Sequence, residues 1–423
     1  MRKAALLAVL GSLLLAAPVQ AAAPAASGRL LVGFERDVSK DRQQEILSKV
    51  RGRLAKRFGG IRGGRLTMIR PRSGIALALL RKRLRQSPDV AYAEPDFIHS
   101  VSATKAPDDP IYPLQWAVDD GPQDHDIDAP TAWGSRTSCA KVAVVDTGVD
   151  TDHPDLAKNV YKSSDKPNNG KDDDRNGYVD DTYGWNAIKG KGSGEDDNGH
   201  GTHVAGIVAG RGNNALGVSG ICWSAKVVPV KFMSSRGKGS TSDAIDAIRY
   251  AVKKGIKIVN CSFGSSSKSS ALKDTVDYAQ SKNVLLVVAA GNDGDNIDKH
   301  PVYPASYGNS NVLTVAASTS TDTLASFSNF GSTAVDVAAP GDDILSTYLG
   351  GGYKSLDGTS MAAPYAAGVA ALLRKQESDA TYSDLRYAIR HKVDKPPAFK
   401  NKVAYDGRLN AYKALKAIPG LVD

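Results

Sequence analysis

The stretch KVAVVDTG, residues 141–148, decides the fold. Its apolar core, Val142 to Val145, runs without a break into Asp146, Thr147 and Gly148. A strand with one wet face alternates apolar and polar residues, whereas a strand apolar on both faces has to be covered on both. The same pattern recurs at AKVVPVKF (225–232), IKIVNCSFG (256–264), VLLVVAAGN (284–292) and NVLTVAAS (311–318). Between several of these runs lie segments with helical spacing, STSDAIDAIRYAVKKG (240–255) and SSALKDTVDYAQSKN (269–283). Buried strands alternating with helices predict an α/β fold, a mainly parallel sheet flanked by helices. Such sheets bind ligands beyond the carboxyl ends of their strands, where this chain carries Asp146, Ser262 and Asn292.

Working outward, the 423 residues allow two or three domains. The chain opens MRKAALLAVLGSLLLAAPVQAAAP, a basic start, a short apolar run and then small residues, with Val19-Gln20-Ala21 fitting a cleavage site. Residues 1–21 therefore read as a signal peptide, and the protein as secreted, extracellular or periplasmic. No later stretch is apolar for long enough to anchor it in a membrane. The net charge of +9 is unevenly distributed: residues 28–106 hold 18 Lys and Arg against 7 Asp and Glu, residues 107–423 only 34 against 38. The main body is mildly acidic, which argues against nucleic acid as a partner. Residues 28–98 read as a small α+β unit. In it RLLVGF forms a strand, DRQQEILSKVRGRLAKRF a helix, and IALALLRKRLRQSPDVAYAEPD a strand or helix leading into a second strand. The stretch SVSATKAPDDP (100–110) is small, polar and Pro-rich, which suits an exposed linker, and residues 99–106 are read as that linker with its processing site. A basic module linked to an acidic body in an exported chain points to a removable pro-segment.

Three stretches bear on chemistry: VAVVDTGVD with Asp146, DNGHGTHVAG with His200, and GTSMAAP with Ser360. Hydrolysis by a serine needs a hydroxyl nucleophile, an imidazole to take its proton and a carboxylate to hold the imidazole in one tautomer. Each residue also has a plainer reading. Ser360 fits a helix cap, Asp146 and Asn292 fit turns, and His200 with His203 has the spacing of a metal pair lacking a third ligand. Together the three stretches favour catalysis, with His203 structural. The chain order Asp, His, Ser is that of subtilisin.

On these motifs residues 107–423 closely resemble the subtilase family, the subtilisin-like serine endopeptidases. The resemblance implies that Asp146 orients His200, that His200 is the general base and that Ser360 attacks the carbonyl. It implies that Asn292, in VVAAGNDG, supplies the side-chain oxyanion donor alongside the Ser360 N–H. NCSFG (Ser262, Phe263, Gly264) and AAG (Ala289, Ala290, Gly291) match the segments that line an extended peptide substrate and its first specificity pocket. Val302 falls where the family varies pocket depth. A medium apolar or aromatic side chain is expected before the scissile bond, with Asp293 at the rim admitting some lysine. The unit 28–98, ending VAYAEPD, resembles the family's inhibitory pro-domain, and DGRLNAYKALKAI its closing helix, so that no further module is expected. A monomer acting on protein or peptide substrates, with its own pro-domain as intramolecular inhibitor, is the implied organisation.

Calcium is the cofactor the resemblance implies, in a structural role. Asp155 in DHPDL, Asn214 and the carbonyls of Leu216 and Val218 match the family's strong site, with Gln115 as a further contributor. One residue is inserted before Asn214 relative to the usual loop, so no preceding carbonyl is assigned. Separately, KDDDRNGYVDD sets Asp172, Asp174 and Asn176 at alternate positions with Asp180 and Asp181 beyond, the oxygen spacing of a calcium loop with Gly177 at its sixth place. Tyr183 stands where an EF-hand has glutamate, so the loop is not an EF-hand. A solvated acidic loop is the plainer reading. The three cysteines allow three single pairings. The family's sheet order makes the strands after Cys139 and Cys222 parallel neighbours, which implies a Cys139–Cys222 disulfide and a free, buried Cys261. Two other readings keep the fold and change the function: an idle subtilase-like binding protein, and an esterase using the same triad.

Overall fold

The chain divides into two units, residues 1–101 and 102–423. The computed structural model describes residues 25–59, 61–73, 75–97 and 104–417. The expected signal peptide and most of the linker, 99–103, lie outside the described residues.

In the N-terminal unit, β1 (Ala25–Phe34), β2 (Gly52–Phe58), β3 (Leu66–Pro71) and β4 (Val90–Phe97) form an antiparallel sheet in the order β2-β3-β1-β4. Helices α1 (Lys40–Lys49) and α2 (Leu77–Arg85) complete the unit, and its core gathers Leu30, Val32, Phe34, Ile46, Leu47, Ile69, Leu80 and Leu84. The segment read as one long helix is two elements. Arg51 takes a left-handed φ of 62°, the helix stops at Lys49, and residues from Gly52 pair with β3 instead. Helical spacing of apolar residues through Leu54 masked that break. The ambiguous stretch after Ile75 resolves as helix α2 followed by β4.

The larger unit is built on seven parallel strands in the order β11-β10-β9-β8-β5-β7-β6. In chain order these are β5 (Val142–Asp146), β6 (Trp185–Asn186), β7 (Val227–Lys231), β8 (Ile258–Cys261), β9 (Leu285–Ala289), β10 (Val312–Ser318) and β11 (Val337–Pro340). A hairpin, β12 (Ile344–Tyr348) with β13 (Gly352–Leu356), follows. The helices are α3 (Ala129–Ser135), α4 (His200–Ala209), α5 (Thr241–Lys253), α6 (Ser270–Ser281), α7 (Thr359–Gln376), α8 (Tyr382–His391) and α9 (Ala411–Ala417). Period two decides which layer each side chain enters. Val142 and Val144 join a core with α4 and α7, while Ala143 and Val145 join one with α5 and α6. Helices α5 and α6 begin on serine caps: Ser240 Oγ accepts from Asp243 N (3.1 Å) and Ser269 Oγ from Leu272 N (3.2 Å), each worth about 1 kcal/mol. The architecture is the α/β one read from the buried strands.

Cys139 and Cys222 are joined at the amino end of β5 and β7, with Cα atoms 5.6 Å apart. Cys261 is free and buried at the carboxyl end of β8. The sheet therefore brings Asp146, Lys231, Ser262 and Asn292 to its carboxyl edge.

Candidate active site

Asp146 is the last residue of β5 and fully buried. Its Oδ1 accepts from Thr147 N at 2.7 Å and lies 2.7 Å from His200 Nδ1. His200 opens α4, whose first turn is held by Asp196, accepting from Thr202 N (3.0 Å) and Thr202 Oγ1 (2.6 Å), and by Thr147 Oγ1, accepting from Gly201 N (2.9 Å). Burial pulls the His200 pKa down. The charge and hydrogen bond of Asp146, joined by the charge of Asp196, outweigh that and hold it above the ordinary histidine value. With Nδ1–H donated to Asp146, Nε2 is left as the nitrogen able to take a proton.

Ser360 does not cap its helix. Gly358 holds the cap position of α7, which places Ser360 in the first turn, where backbone N–H groups have no helical acceptor. Thr359 N–H is taken by Asn292 Oδ1 (2.9 Å), which also accepts from Thr359 Oγ1 (2.8 Å). Asn292 is thereby oriented with its carbonyl oxygen on α7 and its Nδ2 facing the cleft side of Gly358. A Cβ added at Gly358 would lie 3.4 Å from Asn292 Nδ2 and 3.5 Å from Ser360 N, and the backbone there has φ 151°. Asn292 Nδ2 and Ser360 N thus flank the space beside Gly358, whose φ favours glycine. Pro364, inside α7, has no N–H to bond the Ser360 carbonyl in the usual i→i−4 fashion. That carbonyl accepts from Ser262 Oγ instead (2.8 Å), while the Ser360 hydroxyl donates to the Ser262 carbonyl (3.3 Å).

Ser262 is thus a support beneath Ser360, with Asn260 Nδ2 donating to its hydroxyl at 2.9 Å. The Ser265–Tyr303 bridge draws Val302 against Gly264, where a Cβ would meet Val302 Cγ1 at 2.8 Å. Phe263 packs on Phe232 with ring centroids 4.6 Å apart. Ala289 and Ala290 are buried and Gly291 turns the chain toward Asn292.

The subtilase family model matches residues 138–412, the span holding all of these groups. The chain belongs to the subtilase family. It is 35% identical over 395 residues to a thermophilic serine proteinase of Bacillus sp. (strain AK1), covering 92% of this chain and 87% of that one. It is 40% identical over 297 residues to thermitase of Thermoactinomyces vulgaris, covering 70% of this chain and 95% of thermitase. A solved protease from Pseudoalteromonas arctica PAMC 21717 superposes with a TM-score of 0.63 at 31% identity, over 74% of this chain and 99% of that one. This subtilase is a subtilisin-like serine endopeptidase.

The subtilase's acidic loops gather differently from their sequence reading. Asp155, fully buried, accepts from Asn214 Nδ2 (2.8 Å) and Val218 N (2.9 Å), so the loop carrying Asn214, Leu216 and Val218 does wrap it. Gln115 is engaged elsewhere, both ends of its amide bonding the Ser219 backbone (2.7 and 3.1 Å). Asp109 stands at the loop in its place, accepting from Asn213 N and Asn214 N at 2.9 Å each. Burial, above all, raises the pKa of Asp109 and of Asp155. In the second loop, Asp165, Asp174 and Asp181 bring oxygens within 4.8 Å of one another. Asn176 Nδ2 donates to Asp181 at 3.0 Å. Asp172 and Asp180 do not join them: Asp172 accepts from Asn176 N and Gly177 N, Asp180 from Asn169 N and Gly170 N. Lys254 Nζ, 3.1 Å from Asp181 and 3.6 Å from Asp174, already supplies positive charge there.

Residue-by-residue reading missed Asp109, Asp165, Thr359 and Asn329. Asn329, fully buried, accepts from Asp293 N (3.0 Å) and Asp295 N (2.9 Å) and donates to the Ala290 carbonyl (3.1 Å), so it shapes the loop that carries Asn292. Its signal is FSNFG, an amide between two aromatics near no other motif.

Proposed function

We propose that Asp146, His200 and Ser360 form the catalytic triad of a secreted endopeptidase made as a self-processing zymogen. The observation that carries this is the 2.7 Å Asp146–His200 bond at the same sheet edge as Ser360 and the paired donors of Asn292 and Ser360. A turn about the Ser360 Cα–Cβ bond frees its hydroxyl from the Ser262 carbonyl for attack on the scissile carbon. His200 Nε2 takes the hydroxyl proton, the C–O bond forms, and the carbonyl oxygen becomes an oxyanion held by Asn292 Nδ2 and Ser360 N–H. Collapse breaks the C–N bond as His200 returns the proton to the departing amine. Water, activated by His200, then releases the acyl group from Ser360. Ala289, Ala290, Gly291 and Gly264 present main chain to an extended substrate as an added strand, and Val302 supports a preference for medium apolar or aromatic side chains before the cut.

The small α+β unit before residue 98 serves as the pro-domain, severed between Ile98 and Pro107 by the enzyme itself. Expressed without other proteases, the Ser360→Ala chain should accumulate uncut and leave casein intact, while the wild type matures and digests it. Maturation of the alanine chain overturns self-processing. Labelling by a fluorophosphonate without casein digestion would mark an esterase instead, and absence of both an idle protein.

Calcium fits the loop of Asp109 and Asp155, two buried carboxylates beside an amide and backbone oxygens without a lysine or arginine partner among the described residues. Bound there, the ion would neutralise both and hold residues 213–218, taking no part in the reaction. Removing it with chelator should cost about 2.7 kcal/mol relative to a hundredfold excess over its Kd, on the order of 4 °C in Tm for a unit spanning residues 102–423. A melting curve indifferent to chelator removes calcium from the account.

A further inference from the structure

Lys231, the last residue of β7, is a buried cation that the reaction above does not use. Its side chain is only 6% exposed. Its Nζ lies 2.6 Å from the Thr147 carbonyl, 2.7 Å from the Met233 carbonyl and 2.6 Å from Asp197 Oδ1. An ammonium has three protons, and here each meets an oxygen.

Each of those oxygens sits on a segment that leads to the Asp146–His200 pair. Thr147 follows Asp146, and its hydroxyl takes the Gly201 N–H of the His200 helix. Met233 N–H (3.2 Å) and Phe232 N–H (2.9 Å) both bond the Asp146 carbonyl. Asp197 lies in the loop entering α4, next to the Asp196 that holds the helix's first turn. In the parallel ladder of β5 and β7, Lys231 is the register partner of Asp146 itself. An unbranched apolar side chain of similar length would fill the same space without desolvating a charge. Packing alone therefore does not call for lysine.

We propose that Lys231 is a positioning residue, its ammonium joining the ends of β5 and β7 to the loop that delivers His200 and so fixing the Asp146–His200 distance. This rests on the triad reading. Turnover depends steeply on such geometry, since small displacements of a catalytic group lose large factors in rate. The test compares wild type, Lys231→Met and Ser360→Ala in one peptide-substrate assay, well below the melting temperature. Folding is checked by circular dichroism, and the His200 Nδ1–H is followed as a low-field proton resonance. Lys231→Met should keep KM within about twofold, lose at least about tenfold in kcat, and lose or broaden that resonance. A purely structural lysine would lower Tm and leave all three unchanged in the folded variant, and that result overturns the proposal. Should Lys231→Met not fold, Asp197→Asn, altering a half-exposed side chain, replaces it. A kcat lowered about two- to fivefold at constant KM supports the role, and wild-type kcat overturns it. Activity in Ser360→Ala would overturn the triad reading itself, a failure distinct from either.

Discussion

At its amino end the seven-stranded sheet is closed by a covalent bond and apolar packing. Cys139 and Cys222 are joined beneath α7, where both sulfurs face the Gly368 carbonyl, and they share one apolar cluster with Trp133, Ile221 and Ala371. At its carboxyl end β5 and β7 stop on Asp146 and Lys231, and Ser262 and Asn292 follow the ends of β8 and β9, all but one of the four buried and each held by several hydrogen bonds. One oxygen of Asp146 is even left without a partner among the described residues. Buried polar groups in that state lower stability and are kept where they serve another end. The contrast implies a division: changes at the amino end should move stability and spare turnover, and changes at the carboxyl end should do the reverse.

The strongest way to break that division is Gly358→Ala. The added Cβ would occupy the space between Asn292 Nδ2 and Ser360 N, so kcat should fall about 10³-fold in a protein that still folds. Losing one such donor costs about 10²–10³, a magnitude measured on a subtilisin. A variant within tenfold of wild type would mean that the oxyanion sits elsewhere.

Next comes the amino end. The Cys139–Cys222 bond closes a loop of 83 residues, so replacing both cysteines by alanine should cost about 4 kcal/mol on the chain-entropy account. The kcat at 20 °C should stay within about twofold. A large loss of kcat in the folded variant would dissolve the comparison.

A third effect sharpens it with pH. His203 is fully buried on α4, with Nε2–H shared between the Ile344 and Lys354 carbonyls at 2.9 Å and Nδ1 without a partner among the described residues. Burial, chiefly, pushes its pKa from 6.5 down to about 4. The unfolded chain therefore takes up a proton that the folded one refuses. Stability from this group is fully present above pH 6.5 and declines as pH falls from 6.5 toward 4, by about 3 kcal/mol. Denaturant titrations across that range should show the slope in wild type and lose much of it in His203→Gln. The smallest effect is on rate: the acid limb of kcat/KM should lie above the ordinary histidine value, because Asp146 raises the pKa of His200. A limb below pH 6.5 would contradict that pairing.

The parallel sheet was legible because its strands are apolar on both faces, a pattern few other arrangements tolerate. The Asp146, His200 and Ser360 motifs were legible because each sits in a short run with glycines and small residues, VVDTG, GHGTH and GTSMAAP. What stayed hidden depends on contacts between distant segments. Gln115 and Asp109 lie six residues apart and both reach the 213–219 loop, yet only the fold decides which one faces Asn214. Asp172 and Asp180 have the right spacing for a cation loop, but local backbone amides compete for their oxygens. The break after Lys49 is hidden because the helical period continues past it.

The most direct test of the central claim is covalent labelling of the matured wild-type protein with a fluorophosphonate, followed by peptide mapping. The account predicts a single adduct on Ser360, with loss of peptidase activity in step with its formation and no adduct in His200→Ala. A labelled and inactivated protein carrying its adduct on any other residue, or full activity in a protein quantitatively labelled at Ser360, would contradict it.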